Sequence, residues 1–268
     1  MNDQVEAKLR KAFSDYLTLD FDPEEDYSKL VSPRARIVVA GGDGTVEFMI
    51  RKFADTNHPI GVIPMGTFNN LARALGLPTE VDEAIEVVRT GRTHAITLGR
   101  VNGRIFIEAC AVGLFGEAIV LGEDAKDMEF GKLASRLREL IAARPFRYEL
   151  EGDIKGSGAA MSLVFSNTAS IGSQIPISES TPMNPWLEFS VHVGRTRSDI
   201  VGRALKSALL QKHDEETAQV FRFTRLEVTT RPRVRVYADN MLVGRTPATI
   251  TAETSSLKMV LPKQRAKT

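Results

Sequence analysis

Glycines at 41, 42 and 44, with Asp43 among them and Thr45 after them, stand between a β-branched run and a run at helical spacing. Lacking Cβ atoms, glycines let backbone N–H groups approach a ligand, and the start of the following helix adds partial positive charge. The chemistry served by that pattern is the holding of phosphate. A second segment repeats the plan: apolar Ile60–Ile63, then Pro64, Gly66, Thr67, Asn69 and another helical run. Two known phosphate loops do not fit, because Thr45-Val46 follows Gly44 where a Walker lysine would stand, and Glu47 occupies the third glycine position of a dinucleotide fingerprint. One such loop alone also serves as an ordinary tight turn with Asp43 or Thr45 as N-cap. Two of them, at the carboxyl ends of parallel strands, face the place where ligands bind in such sheets.

The elements that must position these turns are legible around them. Val5, Leu9, Ala12, Phe13 and Tyr16 predict a helix over 4–17, followed by an acidic connection broken by Pro23 and Pro33. Arg36–Ala40 reads as a buried strand, and Val46, Met49, Ile50 and Phe53 give the helix after the first turn. Phe68, Leu71, Ala72 and Leu75 give the helix after the second, stopped by Gly76 and Pro78, and a third helix is expected over Val81–Arg89. Strand alternating with helix predicts a Rossmann-like α/β domain with a parallel sheet.

Near Thr93 the texture changes. Strands are expected at Ala95–Val101, Arg104–Ala109, Arg147–Leu150, Ala160–Phe165, Leu187–Val193, Phe221–Thr229, Arg233–Ala238 and Ser256–Leu261, with helices at Phe130–Ala142 and Ser198–Leu210. Asn102-Gly103 is a hairpin signal. The expected division is therefore an α/β domain over 1–93, to which 256–268 returns, and a mainly antiparallel β-sandwich over 94–255. The alternating Arg231, Arg233 and Arg235 read as the solvated face of one strand, able to attract an anionic head group. The Phe130–Ala142 helix, with Leu133, Leu137, Leu140 and Ile141 opposite Lys132, Arg136 and Arg138, reads as core-facing, with lipid contact as its other use.

Composition narrows the function classes. Basic and acidic residues number 35 and 34, so the chain carries no general attraction for nucleic acid. The opening residues are charged and lack the apolar core of a secretory signal, and no apolar run approaches a membrane span, so the expected location is the cytoplasm. Cys110 is the single cysteine, which excludes an intramolecular disulfide and reads as a core residue. His58, His94, His192 and His213 show no metal-ligand spacing.

Val38–Val46 and 60–78, quoted as VVAGGDGTV and IGVIPMGTFNNLARALGLP, resemble the diacylglycerol kinase catalytic family, lipid kinases related in fold to NAD kinases. Weaker resemblance runs on through Val101–Gly113, Phe130–Ala134, Ser166–Thr168, Tyr237–Asp239 and Thr246-Pro247. The resemblance implies ATP over Gly41, Gly42, Asp43, Gly44 and Thr45, with Gly66, Thr67 and Asn69 nearby. It implies Mg²⁺ at Asp43 and Asp239, a catalytic part for the same two aspartates, and an active cleft between two domains. The implied partner is a lipid hydroxyl such as that of diacylglycerol, with peripheral contact at the inner membrane face and no nucleic acid.

The departures from the family pattern are specific. Family members open with a strand ending in an Asn-Pro loop, and this chain is expected to begin at the helix after it. The family's Asn-Asp reads Asn69-Asn70, its Asp-Asp-Gly reads Met183-Asn184-Pro185, and its Asp-Gly-Glu reads Asp239-Asn240-Met241. Each change removes a carboxylate. Two alternatives therefore stand beside an active lipid kinase: a catalytically impaired nucleotide- or lipid-binding homologue, and an NAD-kinase-like small-molecule kinase.

Overall fold

The computed structural model describes residues 3–124, 144–171, 175–193 and 220–263. The helices expected at Phe130–Ala142 and Ser198–Leu210, and His213, lie outside the described residues. The chain divides into two units, Met1–Ile96 with Ser255–Thr268, and Thr97–Thr254.

Unit 1 is the α/β layer. Helix α1 (Asp3–Ala12) buries Leu9 and stops short of the expected residue 17. Arg89 explains the stop: its guanidinium donates to the Ala12 carbonyl and holds both Asp15 carboxylate oxygens, at 2.8 and 3.1 Å, so the chain turns there. After a single 3₁₀ turn (Tyr27–Lys29), strand β1 (Ile37–Gly41) runs parallel to β2 (Pro59–Pro64), with Ile37 opposite Ile60 and Gly41 opposite Pro64. β1 is the terminal strand of this sheet. Between them α2 (Asp43–Phe53) buries Val46, Met49, Ile50 and Phe53, the one-face spacing of a helix lying on a sheet. The short α3 (Asn70–Ala74) follows the second turn, and α4 (Val81–Thr90) buries Ala84 and Val88 against Leu9, Phe13 and Ile63.

Strand β3 (Arg92–Val101) carries the chain into unit 2 and forms a hairpin with β4 (Arg104–Phe106). Its turn residues Asn102 and Gly103 have φ of 49° and 82°, the left-handed pair that an Asn-Gly turn supplies. There follow β5 (Ala109–Gly113), α5 (Leu114–Asp124), β6 (Phe146–Gly152), β7 (Gly156–Ala160), β8 (Ser162–Ser166), β9 (Ser170–Ile171), β10 (Ile175–Pro176), β11 (Leu187–His192) and β12 (Val220–Phe223). β13 (Arg225–Arg231), β14 (Arg235–Ala238), β15 (Met241–Arg245) and β16 (Ala248–Leu261) complete the chain. One antiparallel sheet runs β12-β11-β8-β5-β14-β15; facing it, β13 joins β6 and β7 to the first half of β16. Phe165, Phe189, Val112 and Val236 from one sheet and Leu150, Leu226, Val228 and Ile250 from the other share a core, which makes this a β-sandwich. β16 serves both units in turn: Ala248–Thr251 pair with β13, and Lys258 and Met259 pair parallel with Pro59 and Ile60.

Several sequence expectations change here. The run 221–229 is two strands in different sheets, broken at Thr224, and 104–109 likewise splits before Ala109. Arg231, Arg233 and Arg235 do not share a strand face: Arg231 ends β13, Arg235 begins β14 in the other sheet, and Pro232 interrupts between them. β16 begins eight residues before its apolar end suggests, and 248–251 there alternates buried and half-exposed positions. Helix α5 went unread, since Gly116 and Gly122 interrupt its apolar pattern.

Candidate functional site

The two glycine turns of unit 1 are locked onto each other. At the end of β1, the Gly41 carbonyl accepts the Met65 N–H at 2.8 Å, continuing the β1–β2 ladder into the second turn. The Asp43 carboxylate then spans the two loops: Oδ2 accepts the Asn69 N–H and Oδ1 the Asn70 N–H, both at 2.9 Å. Backbone meets backbone at the glycines. A Cβ on Gly66 would lie 2.9 Å from the Gly42 Cα and 2.9 Å from the Asn69 Oδ1, so the contact requires glycine at 66, whereas a Cβ on Gly42 would meet the Gly66 Cα at an ordinary 3.4 Å.

Asn69 closes the second turn from within. Its carboxamide accepts the Gly66 N–H through Oδ1 and donates to the Gly66 carbonyl through Nδ2, each at 2.9 Å. Its backbone is left-handed (φ 51°, ψ 45°), a conformation asparagine tolerates better than most residues. The side chain is thus engaged with the loop, and its amide with Asp43. Thr67 and Gly44 are exposed, and Thr45 folds back over Gly41. Gly42 is the N-cap of α2, so the N–H groups of Asp43, Gly44 and Thr45 fall in the first turn, where a helix leaves its donors without intrahelical partners. Donors in a first turn, beside a second turn fixed to the first, are the kind of backbone surface that can accept an anion.

Asp239 lies in unit 2, away in sequence and differently used. Its carboxylate accepts the N–H groups of Ile107 (3.0 and 3.2 Å), Glu108 (2.8 Å) and Ala109 (3.2 Å), while its own N–H donates to the Ala109 carbonyl at 2.8 Å. It is buried at 4% exposure, and its φ of 51° puts the turn into β15 in the left-handed region. The result is a nest of three successive amides wrapped around one carboxylate. Cys110, beside it, is fully buried, and burial together with the Asp239 charge pushes its thiol far above the ordinary range.

The predicted site residues therefore form one group, 41–45 with 66, 67 and 69, in unit 1, and a single residue in unit 2. Sequence reasoning omitted Asn70, whose amide is one of the two held by Asp43 and whose side chain is buried. It also missed Ile107–Ala109; nothing in their side chains signals that their backbone surrounds a carboxylate. For a metal, the fit differs between the aspartates. Each Asp43 oxygen accepts one amide N–H at a half-exposed position, which leaves acceptor capacity for a cation shared with phosphates. Asp239 has both oxygens surrounded by buried amides, and its position does not suit a metal ligand. Among the described residues no group of three or more His, Cys, Asp and Glu is placed to hold a metal ion. His58 and His192 are tied elsewhere, to the Ala35 carbonyl and the Ser190 hydroxyl, each at 3.0 Å.

A parallel α/β layer with paired glycine turns is followed by an antiparallel sandwich, and each is a recurrent layer architecture. The chain's similarities fall in the same place. Residues 1–101 match the family model described as the diacylglycerol kinase catalytic domain. A diacylglycerol kinase of Bacillus subtilis (strain 168) is 27% identical over 238 residues, covering 86% of this chain and 78% of the relative. A solved diacylglycerol kinase of Bacillus anthracis (strain Sterne) superposes with a TM-score of 0.66 at 19% identity, over 94% of this chain and 87% of that one. An NAD kinase of Archaeoglobus fulgidus, solved in complex with ATP, superposes with a TM-score of 0.60 at 12% identity, over 98% of this chain and 92% of that one. These structural likenesses establish the shared two-unit fold.

Proposed function

We propose that the protein is an ATP-dependent lipid kinase that transfers the γ-phosphate to a hydroxyl such as that of diacylglycerol. The observation that carries the reading is the Asp43 clasp. A carboxylate that fixes two glycine turns against each other preorganises a backbone surface for the triphosphate before ATP arrives, and phosphoryl transfer depends mainly on such positioning and charge neutralisation. The N–H groups at the start of α2 would take the phosphate oxygens, with Gly44 and Thr67 at the exposed rim of the two turns. Mg²⁺ bound with the nucleotide would neutralise phosphate charge, and Asp43 is the residue suited to hold it. In the transfer, the bond from the acceptor oxygen to the γ-phosphorus forms and the bond to the β–γ bridging oxygen breaks. ADP leaves with that electron pair, and the acceptor releases its proton.

Asp239 enters this reading as a positioning residue. Its oxygens hold the 107–109 backbone, so it shapes unit 2 and does not take the acceptor's proton. The diacylglycerol kinases among the relatives, and the sequence motifs at 38–46 and 60–78, support a lipid acceptor over a soluble one. A lipid acceptor also implies transient contact with a bilayer. The test is transfer of labelled γ-phosphate from Mg·ATP to diacylglycerol, a sphingoid base and NAD in parallel. Labelled phosphatidic acid above an Asp43→Ala control supports the reading. Label in NAD alone, or none above the control in any acceptor, overturns it.

A further inference from the structure

Strand β1 stands at the end of its sheet, yet its sequence is that of an interior strand. Ile37–Gly41 carries no charge, proline or bulge of the kind that guards an exposed edge. Its pairing fixes which backbone groups lie open. The Gly41 carbonyl accepts the Met65 N–H, so Ile37, Val39 and Gly41 turn their amide groups toward β2. Val38 and Ala40, by the alternation of an extended chain, turn theirs to the open edge, and no described residue hydrogen-bonds to them there. Their side chains are half-buried, beside the cluster of Leu9, Phe13 and Ile63.

A second segment of the same unit has the complementary pattern. Leu17-Thr-Leu-Asp-Phe-Asp22 alternates apolar and polar residues with the period of a strand, runs without a turn or bend, and belongs to no strand. Leu17, Leu19 and Phe21, which share one side of that alternation, are 73%, 47% and 46% exposed. In its own copy the segment is moored beside α2. Phe21 meets the Phe48 ring edge-on at 5.3 Å, and the Tyr27 hydroxyl accepts the Asp22 N–H at 2.6 Å and donates to the Asp20 carbonyl at 3.3 Å. That mooring uses the backbone of even-numbered residues. The N–H and C=O groups of 17, 19 and 21 face the other way and meet no hydrogen-bond partner among the described residues.

We propose that a second copy of this chain occupies the β1 edge, each copy lending Leu17–Asp22 to the other as an added antiparallel strand in a closed two-fold dimer. Antiparallel pairing places outward-facing residues opposite one another, a condition met with Leu19 against Val38 and Leu17 against Ala40. Opposite residues share a face, so the two exposed leucines cover the half-buried Val38 and Ala40. The same direction carries Asp20 and Asp22 to the start of β1, where Arg34 and Arg36 stand. Neither arginine meets a carboxylate among the described residues: Arg36 donates to the Val88 carbonyl at 2.6 Å, and Arg34 is exposed. A parallel strand would carry the aspartates toward the glycine turn and leave both arginines unmatched. Strand addition at an open edge draws affinity from main-chain hydrogen bonds and register from alternate side chains. Reciprocal exchange uses the same two patches on each copy, as a two-fold interface requires.

The test is sedimentation equilibrium of the whole chain, with hydrogen exchange of the Val38 and Ala40 amides followed by NMR. Wild type is expected to sediment as a dimer in which both amides are protected. Leu17→Asp with Leu19→Asp should raise the dimer dissociation constant about tenfold or more and release both amides to exchange. Arg34→Glu, a separate exposed change, should weaken the dimer about threefold or more. Matched thermal melts verify that the variants are folded. A monomeric wild type overturns the proposal, whether its 38 and 40 amides exchange freely or are covered by its own chain. So does a dimer that both variants leave intact, a dimer whose 38 and 40 amides exchange freely, or an open-ended assembly. None of these outcomes reads phosphate transfer, so the kinase reading is judged apart from this one.

Discussion

Asp43 and Asp239 do the same local chemistry in the two units, and the contrast between them separates the proposed site from a strut. Each carboxylate accepts successive backbone amides, Asn69 and Asn70 in one case, Ile107 through Ala109 in the other. Asp43 is half-exposed at the start of an eleven-residue helix, and what it joins are two loops on which Gly44 and Thr67 are exposed. Asp239 is buried, takes one more amide, and joins a strand end to a connection more than a hundred residues away in the chain. A carboxylate that orders backbone can thus either prepare a surface for a ligand or complete a fold. Exposure of the surrounding donors decides which.

The largest way to break the comparison is Asp239→Ala. Three buried amides would lose a charged acceptor at once, and each buried donor left without a partner costs about 1–3 kcal/mol. A loss of about 3 kcal/mol or more in urea unfolding, with a correspondingly lower Tm, is expected for Asp239→Ala. If the variant is as stable as wild type, the nest is not what holds 107–109 in place.

Gly66→Ala and Gly44→Ala test the other half. At Gly66 the new Cβ meets the Gly42 Cα and the Asn69 Oδ1 at 2.9 Å, so the two turns must part. The expected cost is about 1–3 kcal/mol, accompanied by loss of ATP binding in calorimetry. At Gly44 the Cβ meets nothing within 4 Å, and the residue is helical. Alanine there is expected to raise stability by about 0.5–1 kcal/mol. If the first turn of α2 takes phosphate as proposed, a Cβ at 44 stands in the way of ligand approach, and the same variant should bind ATP more weakly. Unchanged ATP affinity in Gly44→Ala would remove the first turn from the nucleotide surface.

How much of this was legible in the sequence follows the same division. Unit 1 is built from contacts near in sequence: β1, α2 and β2 each announce themselves through apolar spacing, and both turns through glycine. What could not be read there was the clasp itself, since nothing in the spacing says that Asp43 reaches residues 69 and 70. Unit 2 depends on long-range pairing, and its misreadings cluster where strands change sheets. Phe221–Thr229 looks like one apolar run, yet Phe223 and Leu226 both point into the core from opposite sheets, with the crossing at Thr224. A sheet switch leaves the apolar pattern almost unbroken, so periodicity alone cannot reveal it. Asp239 was singled out by resemblance to an acidic motif, and only the structure assigns its oxygens to backbone amides.

That crossing supplies a third aspartate and the smallest expected effect. Asp153 Oδ2 accepts the Thr224 N–H and hydroxyl, each at 2.7 Å, and the Arg225 N–H at 3.0 Å, which pins the chain where it leaves β12 for β13. The Thr224 hydroxyl and the two amides hold the Asp153 carboxyl below its usual range. A carboxylate whose folded pKa is depressed stabilises the fold above its unfolded pKa, near about 4, and loses that contribution as the pH falls through the lower folded value. The stability gap between wild type and Asp153→Asn should therefore be full at neutral pH and shrink below about pH 4. Because Asp153 is exposed, solvent screens the pair and the gap should remain small next to that of Asp239→Ala. Urea unfolding of both variants across that window orders the aspartates by burial. If the Asp153→Asn gap equals or exceeds the Asp239→Ala gap at neutral pH, exposure is not what distinguishes these carboxylates, and the contrast between site and strut must be drawn on other grounds.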